Sequence, residues 1–249
     1  MDLTLPRVLQ RPSPNYTPVP ITHDLLILHM MEGGYSGSVV WCCSDDAGAT
    51  AHLFMSEAGD EVSQTVGLQF KAWAECSFNG RGISLEVPGK TADGIPQARW
   101  MAAAKIFGWL CVAYNIPAVW AKGGQGRGIC QHNDLGAGGG GHVDCSPVGS
   151  NVWLTFIGYV QVARAYFASL PTLPPFALEG RPAAFQVAPL PAVPPEPSHG
   201  GAARVAPAAL PTDPVERRKW IQARVGVAVD GLIGLATEEA IANYIAAHP

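Results

Sequence analysis

Residues 128–147 read GICQHNDLGAGGGGHVDCSP and gather two histidines, two aspartates and two cysteines around a run of glycines. These side chains are the ones that ligate zinc. Hydrolytic zinc sites take three protein ligands from His, Asp, Glu or Cys and keep a further position for water. His132 and Asp144 flank the glycine run, and His29 ends the apolar run LLILH. A polar group that terminates a buried strand stands where a site can form. Glycines reach backbone angles closed to other residues, so the loop between can fold back and aim both flanking side chains at one ion. Blander readings stay open at this point. A lone histidine is more often a hydrogen-bonded core residue than a ligand. Cys130, Cys145 and the adjacent Cys42 and Cys43 suit small buried hydrophobes. A phosphate cradle is disfavoured, because the stretch has no Lys-Ser/Thr of a P-loop and no GxGxxG after a strand.

These residues need elements to hold them. DLLILHM (24–30) is a short apolar run that reads as a buried strand. TAHLFMS (50–56) precedes the turn EAGDE, which suggests a hairpin leading into VSQTV. GISLEV (82–87) reads as another strand. PQARWMAAAKIFGWLCVAYN (96–115) has proline at its start and good helix formers inside. NVWLTFIGYVQVARAYFASL (151–170) reads as a second helix, capped by Ser150 or Asn151. Interleaved strands and helices predict an α/β domain, with one central mixed sheet flanked by helices.

Twelve of the 22 prolines fall within residues 171–214. Such a stretch reads as a semi-extended linker. The expected division is therefore a catalytic domain over 1–175, a Pro/Ala-rich linker over 176–212 and a small helical module over 213–249. A module that short buries little and suits binding rather than catalysis. The net charge of −4 and the small charged fraction of 14% argue against a nucleic-acid partner. Residues 1–20 are broken by prolines and lack the apolar core of a secretory signal. The longest apolar stretches, such as 106–114, are too short to span a bilayer. Synthesis in a cytoplasm, reduced thiols, no stable membrane insertion and a monomer are expected.

Four stretches, in order, resemble the zinc-dependent N-acetylmuramoyl-L-alanine amidases, the amidase-2 group that includes amidase-type phage lysozymes and peptidoglycan recognition proteins. LILHMMEGG looks like the family's first strand, ending in a ligand histidine. AHLFMSEAGDEVSQTV resembles its hairpin, and NGRGISLEVPG its Ile-Gly-Ile-Glu strand. CQHNDLGAGGGGHVDCSP is similar to its His-x-Asp stretch followed by Lys-x-Asp-Pro-Gly or Lys-x-Cys-Pro. The resemblance implies Zn2+ held by His29, His132 and Asp144, with Cys145 competing for the third place. Asp144 is preferred, because the family puts a catalytic cation two residues before its ligand, and His142 stands there. On that basis Asp144→Ala lowers bound zinc more than Cys145→Ala. Glu86 matches the catalytic glutamate and His142 the oxyanion-stabilising group. His142 departs from the usual lysine, Ser84 from a glycine, and Trp73-Ala74 from a Trp-His pair. His52 fits a histidine of the hairpin strand, as a wall or supporting residue.

WIQARVGVAVDGLIGLATEEAIANY (220–244) resembles a peptidoglycan-binding repeat. Amidase, linker and wall binder together form the plan of a phage endolysin. The implied activity is cleavage of the amide between N-acetylmuramic acid and L-alanine, with peptidoglycan as partner. Synthesis would take place in the host cytoplasm and action at the wall. The alternatives are an endopeptidase of the stem peptide, by zinc or by Cys130 paired with His132, and a non-catalytic peptidoglycan receptor on the same fold.

Overall fold

The computed structural model describes residues 3–142, 145 and 150–176. Asp144, the linker beyond Phe176 and the module expected over 213–249 lie outside the described residues. In chain order the elements are β1 (Arg7–Gln10), β2 (Tyr16–Pro20), β3 (Leu25–Met30), α1 (Tyr35–Cys42), β4 (Leu53–Met55), β5 (Glu61–Gln64), β6 (Phe70–Ala72), β7 (Gly82–Val87), α2 (Gln97–Ala113), β8 (Gly128–Gln131) and α3 (Ser150–Ser169). Six strands form one mixed sheet in the order β1-β5-β4-β7-β3-β8. β4, β7, β3 and β8 run parallel to one another, β5 pairs antiparallel with β4, and β1 is parallel to β5. The apolar run at 24–30 is the fully buried β3, and the expected hairpin is the β4–β5 pair.

Alternation along the strands sends side chains to two faces. Leu26 and Leu28 of β3, Ile83, Leu85 and Val87 of β7 and Ile129 of β8 share the large core with α2 and α3. α2 is apolar on nearly every side, as a helix buried all round must be. Its Gly108 lets α3 come close: a Cβ there would lie 2.4 Å from the Ala163 methyl. Leu25 and Ile27 point to the opposite face, where they pack with Ala121, Cys130 and Leu135. His29 continues that second face.

Five elements, β1, β2, α1, β6 and β8, have no counterpart among those expected from the sequence. β2 contains Pro18 and Pro20 and pairs only with β6 in a two-stranded sheet, where missing donors are tolerated. β1 is likewise an edge strand, lying outermost beside β5. α1 is built from poor helix formers, YSGSVVWC. It forms because Tyr35 and Val39, one turn apart, bury against Phe54, and because the Glu57 carboxylate accepts from the Tyr35 amide at 2.8 Å.

Candidate metal centre

The carboxyl ends of the parallel strands meet at one place. His29, near the end of β3, lies in register with Glu86 near the end of β7. His132 follows β8 directly and opens the short helical turn His132–Gly139. Crevices outside the carboxyl ends of strands are where α/β sheets bind ligands. Here an open cavity of about 240 Å³ is lined by His29, Glu86, His132, His142, Cys145 and Trp73, among others.

The glycine run serves closeness. After His132 the chain turns tightly enough for the Gly139 carbonyl to accept from His132 Nε2 at 2.8 Å. Gly140 then takes φ +92°, a left-handed angle costly for any other residue. Asp134 is absorbed by the turn, its carboxylate accepting from Trp120 Nε1 at 2.7 Å and the Gln131 amide at 3.1 Å.

His29, His132 and Cys145 each present one donor atom, and these atoms all lie within 4.8 Å of one another. The ring centroids of His29 and His132 are 4.3 Å apart, and the His142 ring lies tilted against His132 at 4.9 Å. The donor set fits zinc in four ways. Nε2 of His132 is committed to a carbonyl and Nε2 of His29 to Glu75, which leaves Nδ1 of each ring for a cation. Burial, with the nearby His142 second, brings the His29 pKa down to about 3. Burial and the neighbouring His29 ring bring His132 to about 4, so both rings are in the neutral ligating form. The Met30 amide donates to Cys145 Sγ at 3.3 Å, and a cysteine sulfur with two imidazoles is a zinc donor set.

Glu86 stands beside this group, 3.8 Å from His29 Nδ1. Its Oε2 has no hydrogen-bond partner among the described residues. Burial first, then the Glu75 and Glu32 carboxyls, raise its pKa to about 8. A carboxyl displaced that far, in a cleft, is a common mark of proton-transfer chemistry.

Glu75 gave no signal in the sequence beyond its place in WAECSFN. It is fully buried, and its Oε1 lies 3.1 Å from His29 Nε2. Asn79 turns it inward, accepting with one Oδ1 from the amides of Ala74, at 3.0 Å, and Glu75. Burial raises its pKa to about 7, against the opposing pull of His52, Ser84 and His132. His52 is fully buried and does not line the cavity, so it supports the site from behind. Its Nδ1 accepts from the Ser84 amide at 3.1 Å and its Nε2 donates to the Phe70 carbonyl at 2.8 Å. The Ser84 hydroxyl, 2.9 Å from His52 Nδ1, gives the serine at this position a structural use. Cys130 is fully buried among Leu25, Ile27, Ala121 and Leu135, and burial pushes its thiol well above the usual range. That placement removes it as a nucleophile.

These shifts set a pH dependence for the metal-free fold. Glu86 and Glu75 keep their protons up to about 8 and about 7, whereas a free glutamate releases its own near 4.5. The fold then binds the extra protons, so their contribution is full below the free value and is lost as pH rises through the folded ones. His29 and His132 act in the opposite sense: their contribution is complete above 6.5 and falls away below it. Between pH 6.5 and 8 only the carboxyl pair acts. Thermal unfolding in the presence of a chelator is therefore expected to shift to lower temperature across that interval. A flat or rising midpoint would contradict the raised carboxyl values.

The N-acetylmuramoyl-L-alanine amidase family, Amidase_2, matches residues 18–146. The N-acetylmuramoyl-L-alanine amidase A of Achromobacter lyticus is 31% identical over 91 residues, which make up 36% of this chain and 50% of that protein. The chain thus spans about half the length of that curated relative. Among solved structures, the Staphylococcus aureus hydrolase AmiA aligns with a TM-score of 0.52 at 12% identity, covering 65% of this chain and 84% of that one. PlyL aligns with a TM-score of 0.50 at 17% identity, covering 63% of this chain and 97% of its own. At these identities the two structures speak for the fold.

Proposed function

Because the chain belongs to the N-acetylmuramoyl-L-alanine amidase family, whose match runs over residues 18–146, we propose that it hydrolyses the amide joining the lactyl group of N-acetylmuramic acid to L-alanine in bacterial peptidoglycan. The observation that carries this reading is the His29, His132 and Cys145 group with Glu86 beside it in one open cavity.

His29, His132 and Cys145 would hold zinc, with Asp144 as the competing third donor. Zinc bound there supplies Lewis acidity, which polarises the scissile carbonyl and makes water acidic enough to attack near neutral pH. Glu86 takes the attacking water's proton on its unpartnered Oε2 and passes a proton to the leaving amide nitrogen as the C–N bond breaks. His142, exposed at the cavity mouth, donates a hydrogen bond to the carbonyl oxygen as it gains negative charge. The wall of the cavity, including Trp73, excludes part of the water around the scissile bond. Residues 213–249 act as a wall-binding module on a linker, which raises the local concentration of substrate. The chain acts as an endolysin of phage type, made in the host cytoplasm and working as a monomer at the wall.

Purified cell wall digested with and without a zinc chelator, with fragments identified by mass spectrometry, tests the reading. The expected products are peptides with free L-alanine amino termini and glycan without stems, both lost on chelation. Cuts inside the stem peptide would replace the amidase by an endopeptidase. Intact wall that retains a metal-loaded protein would replace it by a receptor.

A further inference from the structure

The two histidines of the metal group are held from behind in different ways. His132 donates from Nε2 to a backbone carbonyl, that of Gly139 at 2.8 Å. His29 instead meets a carboxylate, Glu75 Oε1 at 3.1 Å, and both partners are buried, with 3% and 0% of their side chains exposed. An acidic side chain buried against an imidazole N–H is not there for solubility. It is also not there for proton transfer to substrate: Glu75 sits behind the imidazole, whereas Glu86 lies near its other nitrogen. Two further contacts fix it. Asn79 clamps the turn that carries it, and the His52–Ser84 pair closes the space on the β7 side.

We propose that Glu75 is a positioning residue for the metal centre, accepting the Nε2–H of His29 so that Nδ1 is held as the ligand atom and made a better donor. The proposal rests on the zinc reading above. Carboxylate–histidine–metal arrangements fix the ring tautomer and orientation, and loss of such a partner typically lowers metal affinity ~10–100-fold. In Glu75→Ala the ring is free to turn and to carry its proton on either nitrogen. In Glu75→Gln the amide oxygen still accepts the Nε2–H, so orientation survives while the charge is lost.

The test is zinc affinity of the full chain, measured by competition with a chromophoric chelator. The visible spectrum of the cobalt(II)-loaded protein gives a second readout. Glu75→Ala is expected to bind zinc ~10–100-fold more weakly than the parent chain and to alter the cobalt bands. Glu75→Gln should fall between the two, which a merely space-filling role would not produce. Should Glu75→Ala fail to fold in chelator, Glu75→Gln decides alone: weaker binding with unchanged metal-free melting supports the proposal. Parent-like affinity and spectrum in both variants would overturn it while leaving the metal centre standing. A parent chain that binds no zinc would instead sink the metal centre, and the proposal with it.

Discussion

Glu86→Gln is expected to leave the fold and the bound zinc in place while lowering kcat by roughly 100- to 10,000-fold, the range that a positioned acid–base group supplies. The argument begins with geometry. Glu86 shares its strand register with His29 and faces the cavity, and its Oε2 has no protein partner among the described residues. An amide there keeps the volume and loses only the ability to take and return a proton. Removing this carboxyl also removes its repulsion with Glu75 and Glu32, which helps hold its pKa near 8 in the metal-free protein. The variant should then be at least as stable as the parent chain. A cation held through His29, whose ring lies 3.8 Å away, favours the ionised form. The zinc-loaded parent should accordingly show an acid limb in its pH–rate profile, which the glutamine variant lacks. Near-parent turnover in Glu86→Gln would move the base elsewhere. Lost zinc would make Glu86 part of the metal's own surroundings.

What the sequence disclosed about this site follows from regular elements. His29 and Glu86 close apolar runs that are strands, and a strand's end is easy to locate; their side-by-side register then follows from parallel pairing. His132 is marked by the glycine run that follows it and by its likeness to a His-x-Asp stretch, whereas β8 before it is a short run, GICQ, with little to announce it. Glu75 was invisible for the opposite reason. It lies on an irregular turn, and its burial is decided by one Asn79 side chain and by partners that are distant in the chain, His29 and His52. The available hint was Asn79, a residue type that closes turns through its side chain. The same logic separates the visible parts of the fold from the hidden ones. α2 carries its own propensity, whereas α1 depends on Phe54 and Glu57 supplied by another segment. Ser84, a departure from the resembled family's glycine, is half of a hydrogen-bonded pair with His52.

Cys145→Ala is expected to reduce zinc affinity more than Asp144→Ala does, the reverse of the order implied by family resemblance. The resemblance favoured Asp144 because it set His142 two residues before the ligand. The thiol's place is seen directly: Cys145 Sγ shares a 4.8 Å group with the two histidine nitrogens and accepts from the Met30 amide, whereas Asp144 lies outside the described residues. Thiolate is also the softer donor, well matched to zinc beside two imidazoles. Four-ligand structural zinc sites bind with apparent free energies of ~10–16 kcal/mol. One ligand's share is then about 3 kcal/mol, or roughly a hundredfold in Kd. Alanine at 145 removes that share and leaves the two neutral histidines with the harder Asp144 carboxylate as the remaining candidate donor. The choice also decides what His142 can be. With the cysteine as ligand, His142 lies three residues before it and is freed from the spacing of the usual lysine, yet its ring still lies 4.9 Å from that of His132 at the cavity mouth. Metal content measured after dialysis against a weak chelator, for both variants side by side, settles the order. Greater loss in Asp144→Ala would return the third place to the aspartate and leave Cys145 as a neighbour of the site.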